Sequence, residues 1–114
     1  MSILDAGAKI RGDMLPIVLI RRASVELEAD RRDRAQADAL QALALLQSAA
    51  PPGSFSAYVG KAYLNLGRAF QAQSKDHEAR DAYRLAAENL EATLGPDHPD
   101  VGRARRAGLE EGHK

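Results

Sequence analysis

Between Tyr58 and Phe70 the apolar side chains return at helical intervals. Tyr58, Ala62, Leu66 and Phe70 mark one stripe, and Val59, Tyr63 and Ala69 widen it. This pattern predicts a helix over about residues 56 to 73. A second stripe, formed by Ala79, Ala82, Tyr83, Ala86, Leu90 and Leu94, predicts a helix from Asp76 to Leu94. Asp76 supplies a capping carboxylate, Gly95 ends the helix and Pro96 prevents its continuation. The short break at Ser74-Lys75-Asp76 makes the two helices antiparallel neighbours, a helical hairpin.

The first half repeats this plan less regularly. A helix is expected from Pro16 to Asp30, with Ile17, Ile20 and Leu27 on one face. Pro16 would then occupy its first turn, where a missing N–H costs least. A further helix is expected from Asp33 to Ala49, with Ala37, Leu40, Leu43, Ala44 and Leu46 inward. The mixed charges from Glu28 to Arg34 read as the solvated turn between them. Residues 2–12 form a short leading helix on this reading, and Asp100 to Leu109 a closing one. The strong breaks are Pro51-Pro52-Gly53-Ser54 and Gly95-Pro96-Asp97-His98-Pro99. The expected fold is all-α, a single domain over 1–114 built of about four to six helices stacked as antiparallel hairpins. It divides into a degenerate repeat at 16–50, a well-matched repeat at 54–95 and a capping helix at 98–111.

Composition supports helix over sheet. Ala, Leu, Arg, Glu and Gln dominate, and aromatic residues make up only 4%. Lys plus Arg and Asp plus Glu are equal at 16 each, so no net field favours nucleic acid or acidic lipid. That balance weakens the alternative of a small helix-turn-helix nucleic-acid binder, although Arg103, Arg105 and Arg106 cluster near one end. Without cysteine there are no disulfides and no thiolate zinc site. The apolar run from Met14 to Ile20 is interrupted by Pro16 and is far shorter than the roughly 20 residues of a membrane span. A cytoplasmic location is the expectation.

The chemistry-bearing residues point away from catalysis. His77, His98 and His113 do not stand at metal-ligand spacing, and a structural zinc site takes four ligands. Ser24, Ser54 and Ser56 have no nearby His with an orienting acid, so no nucleophile is supported. Gly60 and Gly67 lie inside a helix pattern, not in a phosphate-binding loop. No enzyme, cofactor or metal is expected.

The central segment reads Tyr63-x-x-Leu66-Gly67-x-x-Phe70, then Ala79-x-x-x-Tyr83-x-x-Ala86. This pattern resembles the tetratricopeptide repeat. The loop Gly95-Pro96-Asp97-His98-Pro99 resembles that of the longer variant of about 42 residues typified by kinesin light chain. A step of that length carries Ala79 and Ala86 back to Ala37 and Ala44, but carries Gly67 and Tyr63 back to Val25 and Arg21, which do not fit. The resemblance implies that Gly67 and Ala79 mark the closest approach of the paired helices, with Tyr63, Phe70 and Tyr83 filling wider gaps. It makes Gly95, His98 and Pro99 the residues that fix the connecting turn. The chain resembles the end of such an array, a role that Arg105 and Gly108 suit by making the closing helix polar on one side.

The resemblance implies a protein–protein interaction module whose first helices line a concave groove for a peptide. It places Lys61, Leu64, Asn65, Arg68 and Gln71 on that face, with Arg22 and Arg103 near the equivalent register. Asn65 is the foremost candidate, because an amide in this position can bond a peptide backbone. The basic residues would receive an acidic segment or a C-terminal carboxylate. A different reading is a structural module that self-associates through its terminal helices, with Met14, Ile17 and Ile20 at the contact, as a homodimer or as part of a larger array.

Overall fold

The structure, a computed structural model, describes the backbone of residues 2–51 and 53–112 and the side chains of residues 14–51 and 53–108. Five helices follow in chain order: α1 (Ser2–Glu28), α2 (Arg32–Ala49), α3 (Ala57–Ala72), α4 (Asp76–Leu94) and α5 (Pro99–Gly112). No strand occurs among the described residues. The fold is an all-helical array. Among the described residues no helix is long and apolar enough to cross a membrane.

Local chemistry sets the helix ends. The Ser56 hydroxyl accepts the Val59 N–H and starts α3. Helix α4 starts one residue earlier than a capping Asp76 would allow. Lys75 is the cap and Asp76 the first helical residue, where its charge complements the helix dipole. Gly95 closes α4 at φ 93°, a backbone conformation available to glycine. His98 then starts α5: its Nδ1 accepts the Asp100 N–H at 3.1 Å, and Pro99 takes the first helical position.

The helices form two layers. Helix α1 packs on α2 and α3, α3 packs on α2 and α4, and α5 packs on α4. Leu64 of α3 joins Val101 and Ala104 of α5, so α1, α3 and α5 share one layer. Ala82 of α4 belongs to the same core cluster as Ala39, Ala42 and Leu43 of α2, in the other layer. The core is built largely of Ala and Leu, with Tyr83, Leu90 and Val101 its largest fully buried side chains.

The two hairpins are copies displaced by 44 residues. Asp30 and Ser74, 44 positions apart, both adopt φ 60° in the turns. The Arg31 N–H bonds Glu26 O at 2.7 Å and the Ala35 N–H bonds Arg31 O; at the same displacement Lys75 bonds Phe70 O at 2.9 Å and Ala79 bonds Lys75 O. The buried positions Ala35, Asp38, Ala39, Ala42 and Leu43 of α2 match Ala79, Ala82, Tyr83, Ala86 and Ala87 of α4. The 42-residue step fits only the later interval, from Ala57 to Pro99. The linker from Ala50 to Ser56 is longer than that from Gly95 to His98 and shifts the register.

Several sequence expectations change accordingly. Ala37, Leu40 and Ala44 are exposed, not inward. At the correct displacement Ala23 stands where Gly67 stands and Leu19 where Tyr63 stands, and both are buried. The leading helix and the helix from Pro16 are one continuous α1, with Pro16 inside it and one ladder hydrogen bond missing there. The contact of Gly67 is also different. A Cβ on Gly67 would stand 2.8 Å from the Tyr83 ring, so it is the ring of Tyr83, not Ala79, that requires the small residue. Gly60 also lies close against α4: its Cβ would stand 2.7 Å from Leu90 Cγ and 3.2 Å from the Ala86 carbonyl.

Candidate partner-binding face

Helix α3 lies at the centre of the α1–α3–α5 layer and determines what that face presents. Tyr58, Lys61, Asn65, Arg68 and Ala72 follow one another at helical spacing along it. Tyr58, Arg68 and Ala72 are exposed and Lys61 is half-buried. The Lys61 ammonium lies 5.8 Å from the Tyr58 ring centroid, which orients its cation along the face. Neither Lys61 nor Arg68 has an ion-pair partner among the described residues. They are about 10 Å apart along the axis, seven residues at 1.5 Å each.

Asn65 sits in the middle of this stripe but is only 4% exposed. Its amide donates to Ile20 O at 2.9 Å, and its Oδ1 accepts from the Ser24 hydroxyl at 3.3 Å. The side chain expected to hold a peptide instead fastens α3 to α1. Leu64 is likewise buried, within the cluster shared by α3, α4 and α5. Gln71 is half-buried and accepts the Tyr83 hydroxyl at 2.6 Å. Of the five residues expected on this helix, Lys61 and Arg68 alone present free cations to solvent.

The flanking arginines part company. Arg103 stands 42 residues after Lys61, on the α5 edge of the same layer, and is exposed beside Asp100 at 3.5 Å. Arg22 turns to α2, where Nε and Nη2 bond the two Asp38 oxygens at 2.7 and 2.8 Å. The exposed Arg21 stands at the α1 position equivalent to Asn65. The 42-residue step obscured this by moving the register two positions.

The remaining motif residues are structural in placement. Leu66, Ala79, Tyr83 and Ala86 are buried, and Tyr63 and Phe70 pack half-buried against both main clusters. Phe70 also receives the Lys75 ammonium at 5.8 Å. The Tyr63 hydroxyl accepts from Gln47 at 3.2 Å.

A charged cluster in the first hairpin had no counterpart in the sequence reading. Arg22, Glu26 and Asp38 occupy the positions of Leu66, Phe70 and Ala82 in the second hairpin. The Arg22 hydrogen bond holds the Asp38 carboxyl below the usual aspartate range, against the effect of burial. Burial, and then neighbouring Asp38, push Glu26 above the usual glutamate range. Glu26 Oε1 is buried and without a hydrogen-bond partner. His77 Nδ1 lies 3.1 Å from Arg80 Nη2, and His113 lies outside the described residues.

Comparison with known proteins adds one match. A family model described as a tetratricopeptide repeat covers residues 59–100, which span α3, α4 and the start of α5. No curated protein and no solved structure matches the chain.

Proposed function

Residues 59–100 make this chain a member of the tetratricopeptide repeat family, and from that premise we propose that it binds a partner protein through the exposed face of α1, α3 and α5. The repeat itself points to protein–protein interaction. The observation that carries the choice of face is the pair of unpaired cations, Lys61 and Arg68, on the central helix. Arg21 and Arg103 extend the positive surface to either side.

This distribution favours an extended acidic segment or a C-terminal carboxylate, which these cations can contact with charge-assisted hydrogen bonds. Tyr58 adds an aromatic surface beside Lys61 for an apolar residue of the same segment. The reading is of a binding module, located in the cytoplasm and without a reaction of its own.

Affinity capture from the source cell tests it. The double variant Lys61→Glu and Arg68→Glu should lose the captured partner while its helical circular dichroism stays unchanged. Undiminished capture by that variant would remove this face as the site.

A further inference from the structure

A groove of about 450 Å³ lies between α4 and α5. Its floor is apolar, with Tyr83 and Ala87 from α4 and Ala104 and Gly108 from α5. Three exposed guanidinium groups stand around that floor, Arg80 and Arg84 one turn apart on α4 and Arg105 on α5. Like charges four residues apart on a helix oppose its stability, so the Arg80–Arg84 pair is not explained by the fold.

The preceding groove, between α2 and α3, is built differently. The 44-residue displacement carries Arg80 and Arg84 to Gln36 and Leu40, and the 42-residue step from α5 to α3 carries Arg105 to Tyr63. All three counterparts are uncharged. In that groove Ala39, Leu43, Ala62 and Leu66 form one core cluster with Ala82 of α4. The α4–α5 groove keeps an apolar floor but exchanges an uncharged rim for three arginines. An apolar helix seated on it would strip water from guanidinium groups and return no partner.

The acids of the chain leave these cations available. Arg80 Nη2 lies 3.1 Å from His77 Nδ1 and has no acidic partner among the described residues. Arg84 Nη1 stands 3.4 Å from Glu88, and Arg105 bonds Glu91. A guanidinium carries five N–H donors, so both arginines keep donors beyond these pairs.

We propose that the α4–α5 groove is a second binding site, taking an acidic segment of a partner protein in which an apolar side chain is flanked by Asp or Glu. The apolar side chain seats on Tyr83, Ala87 and Ala104, and the flanking carboxylates accept charge-assisted hydrogen bonds from Arg80, Arg84 and Arg105. Nucleic acid fits less well, because Glu88 and Glu91 stand among the arginines and acidic and basic residues are equal in number along the chain. A second copy joined groove to groove would set arginine against arginine. The groove shares no residue with the Lys61 and Arg68 face, so it stands or falls independently of that reading.

The test uses the full chain and a fluorescein-labelled synthetic peptide with a central leucine flanked on each side by two glutamates. Anisotropy should show saturable binding, and amide shifts should move at Tyr83, Ala87, Ala104 and Gly108. Arg80→Gln with Arg84→Gln, at exposed sites, should weaken binding at least tenfold with helical circular dichroism unchanged. Gly108→Leu should weaken it at least fivefold by filling the groove without altering charge; a Cβ there stands 3.6 Å from Tyr83 Cβ, an ordinary contact. Lys61→Glu with Arg68→Glu should leave the affinity within twofold. Four results overturn the proposal. One is no saturation by millimolar peptide, and another is shifts centred on Lys61 and Arg68. The third is equal affinity for a peptide with serine in place of leucine, which means charge attraction without a seat. The fourth is tighter binding of a labelled single-stranded oligonucleotide at the same residues, which makes nucleic acid the occupant.

Discussion

The aromatic ring of Tyr83 lies directly on Gly67, so close that a Cβ at residue 67 would stand 2.8 Å from Cδ1 and Cε1 of the ring. The ring is 1% exposed and its hydroxyl is held by Gln71, so it has little freedom to withdraw. Gly67→Ala should therefore destabilise the chain by about 1–3 kcal/mol, despite the better helix propensity of alanine. Urea unfolding measures it, and Ala23 shows that the equivalent site in the first hairpin accepts a methyl, because Ala39 stands there in place of Tyr83.

Two other glycines should respond in opposite directions. Gly60 faces Leu90 and the Ala86 carbonyl, whereas a Cβ on Gly102 would meet only the end of Arg106, at 3.7 Å. Gly60→Ala should destabilise by about 1–3 kcal/mol, since a backbone atom is among those crowded. Gly102→Ala should stabilise α5 by about 0.5–1 kcal/mol. Thermal melts of the two single variants provide the comparison. Stabilisation by Gly60→Ala would mean that α4 does not press on α3 as described.

Asn65 links α1 to α3 and should behave as a structural residue. Asn65→Ala leaves a buried space and removes the bonds to Ile20 O and Ser24. A loss of about 1–3 kcal/mol is expected. Arg68→Ala, at an exposed position, should change stability by less than about 0.5 kcal/mol. Partner capture should show the reverse order under conditions where both variants are folded.

The Glu26–Asp38 pair should give the stability a characteristic pH profile. Asp38 is held below its ordinary pKa of 3.8, so the stability it contributes is present above that pH and is lost as pH falls through its folded value. Glu26 is pushed above its ordinary 4.5, so its contribution is complete below that pH and is lost as pH rises through its folded value. Glu26→Gln abolishes the second loss. The stability of the variant relative to the parent should rise between pH 4.5 and pH 8, as measured by urea unfolding at fixed salt. A difference that stays constant over this range would exclude a raised Glu26.

What could be read from the sequence depended on how well each residue type marks a face. Helix α4 was legible to its last residue, because Gly95 and Pro96 end it and Tyr83 and Leu90 orient it. Helix α2 was not, since alanine stands at 35, 37, 39, 42, 44 and 49, and a methyl group suits either surface. A borrowed 42-residue step then chose the wrong alanines. Pro16 was placed at a helix start because proline usually breaks an interior, but here the helix passes through it. In the site, the resemblance placed Lys61 and Arg68 outside the packed stripe of α3, and they are half-buried and exposed there. Asn65 and Leu64 were assigned outward because a single helix does not reveal that α1 and α5 flank it so closely. The Arg22–Glu26–Asp38 cluster was invisible because charged residues at core positions read as surface.

The central claim is that the α1–α3–α5 face receives the partner, and an amide shift map of the labelled chain with its captured partner tests it most directly. The account predicts perturbations concentrated at Arg21, Tyr58, Lys61, Arg68 and Arg103, shrinking as salt is raised. Perturbations confined to the opposite layer, around Leu40 and Ala44 of α2 and Arg84 and Glu88 of α4, would contradict it.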